Sequence, residues 1–290
     1  CISNAATVIT CYAKLIDVAR EGSADSQKIG TTGKGIGPSY EDKIARRAVK
    51  MVDLLDAGVL KKKLDGIWKE RAFLLMQLYG VKNVPRVEEE VTRLFELGKK
   101  LAPYIREEIS VIDKVVDAGG KVLYEGAQGV MLDVDFGTYP FVTSSNTTVG
   151  GVYTGSYVPG LVMNRVIGIT KAYTTRVGEG AFPSELKNEL GDIIQQKGNE
   201  IGATTGRKRR CGWLDLAQLK YAIKASGLTE IALTKIDILM NLGQLNVVMA
   251  YKYRGQVYDR YQLGMDVGEI EPIVQSLTPL VGEIKPSMSR

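Results

Sequence analysis

The sequence predicts an α/β fold: a mostly parallel central sheet flanked by helices, with a helical insertion and a late β-hairpin. Three observations predict it. Short apolar, β-branched runs end in polar loops at 121–129, 162–178 and 229–237, the pattern of strands leading into the ligand-facing edge of an open sheet. Residues 50–117 carry apolar side chains at helical spacing. Two alternating runs, 247–253 and 257–261, meet at Arg254-Gly255 and read as a hairpin.

In order along the chain, residues 2–21 are expected to form a helix, with Val8, Ile9, Tyr12, Leu15 and Ile16 on one stripe and Glu21-Gly22 at its end. After a polar linker at 23–26, Ile29-Gly30-Thr31-Thr32-Gly33-Lys34-Gly35-Ile36-Gly37 has glycines and hydroxyls suited to cradling phosphate, or to a plain surface loop. It does not match the P-loop pattern. Pro38 is suited to open a short helix carrying Lys43, Arg46 and Arg47 on neighbouring turns. Helices follow at 57–79, 86–98 and 103–117, and their stripes read as core. Lys121–Glu125 reads as a strand ending in Gly126-Ala127-Gln128-Gly129. Thr143 to Gly151 is dense in hydroxyls and glycine, fit either for a polar ligand or for side-chain-capped turns. Val162–Thr170 reads as a buried strand, with helices at 189–197 and 215–225 and a loop-like tail beyond Pro272.

The chemistry concentrates at Ile201 to Trp213. Here Gly202-Ala203-Thr204-Thr205-Gly206 runs into four consecutive cations, Arg207 to Arg210. Such a loop can close over an acidic ligand, its arginines offering planar forks to carboxylate or phosphate. A solvated basic turn or a nucleic-acid patch has the same composition, although the aromatics do not interleave with the cations as strand-stacking proteins require. Thr234-Lys235-Ile236-Asp237 resembles the N-K-x-D element of GTPases. There the carboxylate accepts from guanine N1–H and N2–H, a donor pair adenine lacks. A strand end with a capping carboxylate reads the same way.

Composition narrows the classes. The 290 residues are 44% hydrophobic and 24% charged, the range of a soluble globular protein. The net charge of +5 is too mild to imply nucleic acid. No apolar run is long enough to span a membrane. The three cysteines have no metal-like spacing, and a reducing, cytoplasmic setting fits them. The four cations before Cys211 would depress its pKa, although a small buried side chain is the simpler role. The chain has no histidine, so no His base or His-ligated metal can come from it. It begins at Cys1 inside an apolar pattern, and it reads as lacking its natural start.

Five motifs together carry a family resemblance. Gly35-Ile36-Gly37-Pro38-x-Tyr40-x-x-Lys43-x-x-Arg46, Glu125-Gly126-Ala127-Gln128-Gly129, Gly137-Thr138-Tyr139-Pro140, Thr143-Ser144-Ser145-Asn146-Thr147-Thr148 and Ala203-Thr204-Thr205-Gly206-Arg207 resemble the signature of adenylosuccinate synthetases, in order and spacing over nearly the whole chain. That family joins IMP and L-aspartate, using GTP and Mg2+, to give adenylosuccinate, GDP and phosphate in purine biosynthesis. The resemblance implies that Thr32, Gln128, Thr143 and Arg207 contact IMP. It also implies a homodimer in which Arg46 reaches the partner's IMP phosphate. By the same resemblance Ala203, Thr204, Thr205, Gly206, Arg207, Lys208 and Arg209 form the aspartate loop, and Arg209, Lys235 and Asp237 serve GTP.

The chain departs from the family at known places. The family's phosphate loop, with its catalytic aspartate and histidine, lies upstream of anything here, and its last guanine-contacting loop lies downstream. Phe136 stands where a histidine is common. No catalytic residue and no magnesium ligand is therefore carried over. The expectation is one synthetase-like domain over 1–290, with a helical insertion at about 50–117, incomplete at both ends. A truncated, non-catalytic nucleotide-binding or dimerisation module is the alternative.

Overall fold

A computed structural model describes residues 1–23, 28–202 and 206–283. They fall into two compact units. The first comprises Cys1–Ala127, Thr143–Asn146 and Gly151–Val162, and the second Gln128–Val142, Thr147–Gly150 and Met163–Arg290.

In the first unit, β1 (Ile2–Ser3) pairs in parallel with β2 (Ile105–Arg106). Helix α1 (Cys11–Gly22) therefore starts later than its apolar stripe suggests. Thr10 fixes the start, its hydroxyl accepting from the Ala13 N–H at 3.2 Å. The buried Glu90 carboxylate accepts from the Cys11 N–H at 2.8 Å, placing negative charge at the positive end of α1. Helix α2 (Ile36–Ile44) begins two residues before Pro38, with Gly35 as N-cap at φ +84°. A Cβ on Gly35 would lie 2.7 Å from the Lys14 backbone nitrogen, so only glycine lets α2 start against α1. Lys43 is on this helix, but Arg46 and Arg47 lie past its end, where Arg46 takes φ +63°. The expected three-cation helix is thus shorter, because the Arg47 N–H turns back to the Asp42 carbonyl at 3.0 Å.

Helices α3 (Ala57–Phe73), α4 (Val87–Leu101), α5 (Glu108–Asp117) and the short α6 (Gly150–Gly155) complete this unit, α3 continuing as a π-helical turn at Leu74–Leu78. Residues 50–117 are thus mainly helical, with β2 and short loops between the helices. Tyr12, Leu60, Leu64, Ile67, Val87 and Leu94 form its core. Arg71 is fully buried on α3 and bonds Asp42 at 2.7 Å and Glu41 at 3.2 Å, which ties α2 to α3. Lys121–Glu125, expected as a strand, has no ladder partner among the described residues, and Leu123 is 87% exposed. An extended run becomes a strand only when a neighbour takes its N–H and C=O groups.

In the second unit, β3 (Ile167–Lys171) and β6 (Glu230–Thr234) pair in parallel, from Ile167 opposite Glu230 to Lys171 opposite Thr234. β3 starts later than its apolar run and is not buried: Ile169 is 79% exposed, since among the described residues β6 is its one ladder neighbour. A five-stranded sheet holds β4 (Tyr173–Arg176), β5 (Arg210–Asp215), β7 (Leu245–Tyr253), β8 (Gln256–Tyr258) and β9 (Glu271–Leu277). β5 and β7 are parallel, and the other pairings are antiparallel. The α/β class and the β7–β8 hairpin stand. Two expected loops are strands: residues 210–213 belong to β5, and the tail beyond Pro272 forms β9. Pro272 has no N–H to give, and it is tolerated because among the described residues β9 pairs with β7 alone. Helix α7 (Glu189–Lys197) matches its expected span, and α8 (Leu216–Ser226) starts one residue late because Asp215 is its N-cap.

Asp215 is 2% exposed and takes the Tyr251 hydroxyl at 2.6 Å and the Gln218 N–H at 3.0 Å. Burial raises its pKa from 3.8 to about 6 against those bonds. The folded protein thus holds a proton that the unfolded chain releases near pH 4, and stability falls as pH rises through 4 to 6. Asp215→Asn should remove this slope and stabilise the protein above pH 6 by about 2–3 kcal/mol. Urea unfolding at pH 4, 5, 6 and 7 checks it.

Candidate functional site

The strongest constellation in the second unit is centred on a residue the sequence did not single out. Glu200 is 0% exposed. Its carboxylate takes Lys171 Nζ at 2.8 Å, the Tyr173 hydroxyl at 2.6 Å, Arg209 Nη1 at 2.8 Å and Lys235 Nζ at 3.2 Å. Burial pushes its pKa up, but these bonds outweigh that and hold it down at about 2. The same burial, reinforced by Arg209 and Lys235, lowers Lys171. Lys171 ends β3, and Lys235 follows β6 directly. Both therefore rise at the carboxyl edge of a parallel pair, where open α/β sheets bind ligands. Three cations against one carboxylate leave this cluster with an excess of positive charge.

The basic loop stands on the same glutamate. The Arg209 N–H donates to the Glu200 carbonyl at 2.9 Å, and Ile201 bridges Lys208. Above that bridge the Gly202 N–H donates to the Arg207 carbonyl at 2.7 Å, and the Gly206 N–H to the Gly202 carbonyl at 2.8 Å. Gly206, Arg207 and Lys208 are exposed, and Arg209 is half-buried. Ala203, Thr204 and Thr205, expected in the aspartate loop, lie outside the described residues. Arg210 points elsewhere. It forms a bidentate pair with Glu185 at 2.7 Å, donates to the Gly180 carbonyl and lies over the Phe182 ring. Cys211 takes the simpler role of a small buried side chain, and burial outweighs the nearby cations and raises its pKa to about 11.

Of the other expected contacts in this unit, Asp237 is exposed in a 3-10 turn at Ile236–Leu239, directly after Lys235. Gln128 is exposed at φ +63°. Lys235 and Arg46 also have positive φ, at +56° and +63°. Left-handed backbone is unfavourable for such side chains and gathers at functional positions. Nearby, the buried Asp133 accepts from the N–H groups of Asp135, Phe136, Thr147 and Thr148, which ties Gly137-Thr138 to Thr147-Thr148. Phe136 is 42% exposed, and its carbonyl takes the Tyr221 hydroxyl at 2.7 Å.

In the first unit, Thr32 and Arg46 are exposed and Thr143 is half-buried. The segment after Thr143 lies against the start of α2, since a Cβ on Gly37 would come within 3.1 Å of Ser144 Oγ. Two signature motifs thereby meet. In the glycine-rich loop the Gly30, Gly33 and Gly35 N–H groups donate to Glu21, Thr31 and Asp17. Among the described residues no group of three or more His, Cys, Asp or Glu side chains is placed to hold a metal ion, and magnesium is assigned no residue here. No helix among them is long and apolar enough to cross a membrane.

Glu200 and Lys171 had a faint trace in the sequence. β3 ends in an aliphatic residue followed by Thr-Lys, β6 ends in an aliphatic residue followed by Thr and runs directly into a lysine, and Glu200 is a lone acid just before the cation run. Only the register of β3 on β6 shows that the two lysines share an edge.

This arrangement defines an α/β protein with a basic cluster at the carboxyl edge of parallel strands. Comparison with known proteins gives the family. The adenylosuccinate synthetase family profile matches residues 1–286. Adenylosuccinate synthetases of Francisella tularensis subsp. novicida and subsp. mediasiatica are each 53% identical over 279 residues, covering 96% of this chain and 64% of theirs. A fully ligated adenylosuccinate synthetase structure from Plasmodium falciparum aligns with a TM-score of 0.88 at 35% identity, covering 96% of this chain and 66% of that one. A succinoaminodeoxyadenylate synthetase of cyanophage S-2L, at a TM-score of 0.50 and 20% identity, shares the fold. The chain belongs to the adenylosuccinate synthetase family, and it spans about two thirds of the length of these relatives.

The two neighbouring arginines should separate cleanly. Arg210→Ala strands Glu185 and should lower stability by about 1.5–3 kcal/mol, leaving ligand affinity nearly unchanged. Arg207→Ala, on the exposed loop, should weaken ligand binding by more than Arg210→Ala does. Calorimetry and thermal melts of both variants in the full-length protein check this.

Proposed function

We propose that the full-length protein is an adenylosuccinate synthetase, a GTP-dependent C–N ligase that joins IMP and L-aspartate. The family match over residues 1–286 carries this reading. In it, Thr32, Gln128, Thr143 and Arg207 bind IMP, and Arg46 reaches the IMP phosphate of a second copy in a homodimer. The 203–209 loop takes aspartate. Arg209, Lys235 and Asp237 hold GTP. The exposed positions of Thr32, Arg46, Gln128, Arg207 and Asp237 suit ligand contact. The setting is cytoplasmic.

The chemistry explains the residue types. Phosphoryl transfer from GTP to O6 of IMP turns a poor leaving oxygen into a good one, and the aspartate amine then displaces phosphate at C6. Positioning and charge neutralisation carry most of such a reaction. Arg207 and Arg209 supply charge and planar forks, and the hydroxyls of Thr32 and Thr143 orient the purine nucleotide. Magnesium neutralises phosphate charge when bound; the residues of this chain bind and orient the substrates around it.

An assay of GTP-dependent adenylosuccinate formation tests the reading at full length. Turnover is expected there and not from residues 1–290 alone. A full-length protein that binds IMP or GTP without turnover would favour the non-catalytic module instead.

Base selection gives a sharper test. Asp237 accepts two hydrogen bonds from guanine in this reading. Asp237→Asn turns a donor toward them and should weaken GTP, while xanthine, with an acceptor at position 2, should be better tolerated. The preference for GTP over XTP should shift by roughly 1–3 kcal/mol. Competition binding of GTP, ATP and XTP to both proteins measures it, and an unchanged order would remove guanine recognition from Asp237.

A further inference from the structure

We propose that Glu200 is a positioning residue that assembles Arg209, Lys235 and Lys171 into one preformed site for the nucleoside triphosphate. The inference rests on the reading of Arg209 and Lys235 as GTP contacts and names the residue through which they act together. Glu200 itself is out of reach of any ligand, at 0% exposure. Its three cationic partners are not: their side chains are 24%, 30% and 38% exposed for Lys171, Arg209 and Lys235. Each is thus anchored at one face and open to solvent at another.

The geometry is redundant in a way that a simple neutralising counter-ion does not need. The two carboxylate oxygens divide the work. Oε2 takes Lys171 and Arg209, and Oε1 takes Lys235 and the Tyr173 hydroxyl. The Glu200 carbonyl meanwhile takes the Arg209 N–H at 2.9 Å and Gln195 Nε2 at 2.8 Å. One residue therefore fixes both the backbone and the guanidinium of Arg209. Lys235 gains a second anchor at the Gly198 carbonyl, 2.5 Å away. Three cations this close repel one another. The buried carboxylate offsets that repulsion before a ligand arrives, so binding does not have to gather charge and order side chains at the same moment. Glutamine has the same shape but one fixed acceptor oxygen and no charge. Glu200→Gln would keep the fold's volume and release the cations.

A double-mutant cycle on the full-length protein distinguishes positioning from mere stability. GTP affinity is measured by calorimetry for wild type, Glu200→Gln, Arg209→Ala and the double variant, with the melting temperature of each. Glu200→Gln should weaken GTP by roughly ten-fold, and by much less once Arg209 is gone, because the glutamate acts through that arginine. Glu200→Asp should recover part of the loss. If the glutamine variant does not fold, the same cycle is run with Glu200→Asp, which keeps the charge and shortens the reach by one methylene. Equal losses with and without Arg209, or no loss of GTP affinity, would overturn the proposal. A wild-type protein that binds no GTP would instead remove the parent reading, and this inference with it.

Discussion

One buried carboxylate organises the second unit. Glu200 holds the ends of two parallel strands through Lys171 and Lys235 and the foot of the basic loop through Arg209. A charge buried this deeply is unfavourable unless it is fully satisfied. Four donors satisfy it, and they come from β3, the start of β4, the loop and the turn after β6. The requirement runs both ways. The glutamate is tolerated because the cations are there, and the cations stand together because it is there. Removing any one donor leaves the others less well placed, so the loop and the strand edge are coupled by electrostatics as well as by the apolar cluster around Tyr173, Cys211 and Leu239.

The first unit uses the same device differently. Arg71 is 1% exposed and meets Asp42, which is also nearly buried. Here the charges join α2 to α3 and face no opening. Arg47 and Arg20 extend the network through Glu70 and Glu41 at the surface, where exposed pairs add little. The signature segment Gly35 to Arg46 is therefore fixed by three means: the glycine contact with α1, the Asp17 bond to the Gly35 N–H and the Arg71–Asp42 pair. Arg46 sits just past the rigid part, with its side chain exposed.

Much of this was legible in the sequence. Helical spacing located α3, α4, α5, α7 and α8 to within a few residues, although the apolar stripe of α5, expected as core, has no buried residue. The β7–β8 hairpin was legible from alternation around Arg254-Gly255. The failures share a cause. Lys121–Glu125, the early part of Val162–Thr170, and β9 were misread because strands depend on partners far away in sequence, which local pattern does not record. Helix starts at Cys11 and Ile36 were set by Thr10 and Gly35, single residues that outweighed the apolar stripe. At the site, Arg209 and Lys235 were legible from motif, and the structure brings them to one carboxylate. Glu200 was not, because a lone acid in a polar stretch has no pattern until the register of β3 on β6 places two lysines beside it.

The two glycine-containing segments of this chain place their acidic residues differently. Glycine-rich loops bind phosphate when their N–H groups are free and converge. In Ile29 to Gly37 three of the glycine N–H groups already have acceptors, and two of those acceptors are carboxylates. A phosphate would have to displace negative groups to reach them. At Glu200 the order is reversed. The carboxylate lies beneath the cations, fully buried, and the cations keep exposed faces. An incoming anion meets donors first and the acid not at all. Two segments with similar composition of glycine, threonine and lysine thus differ in which side of the donors the acidic residue occupies.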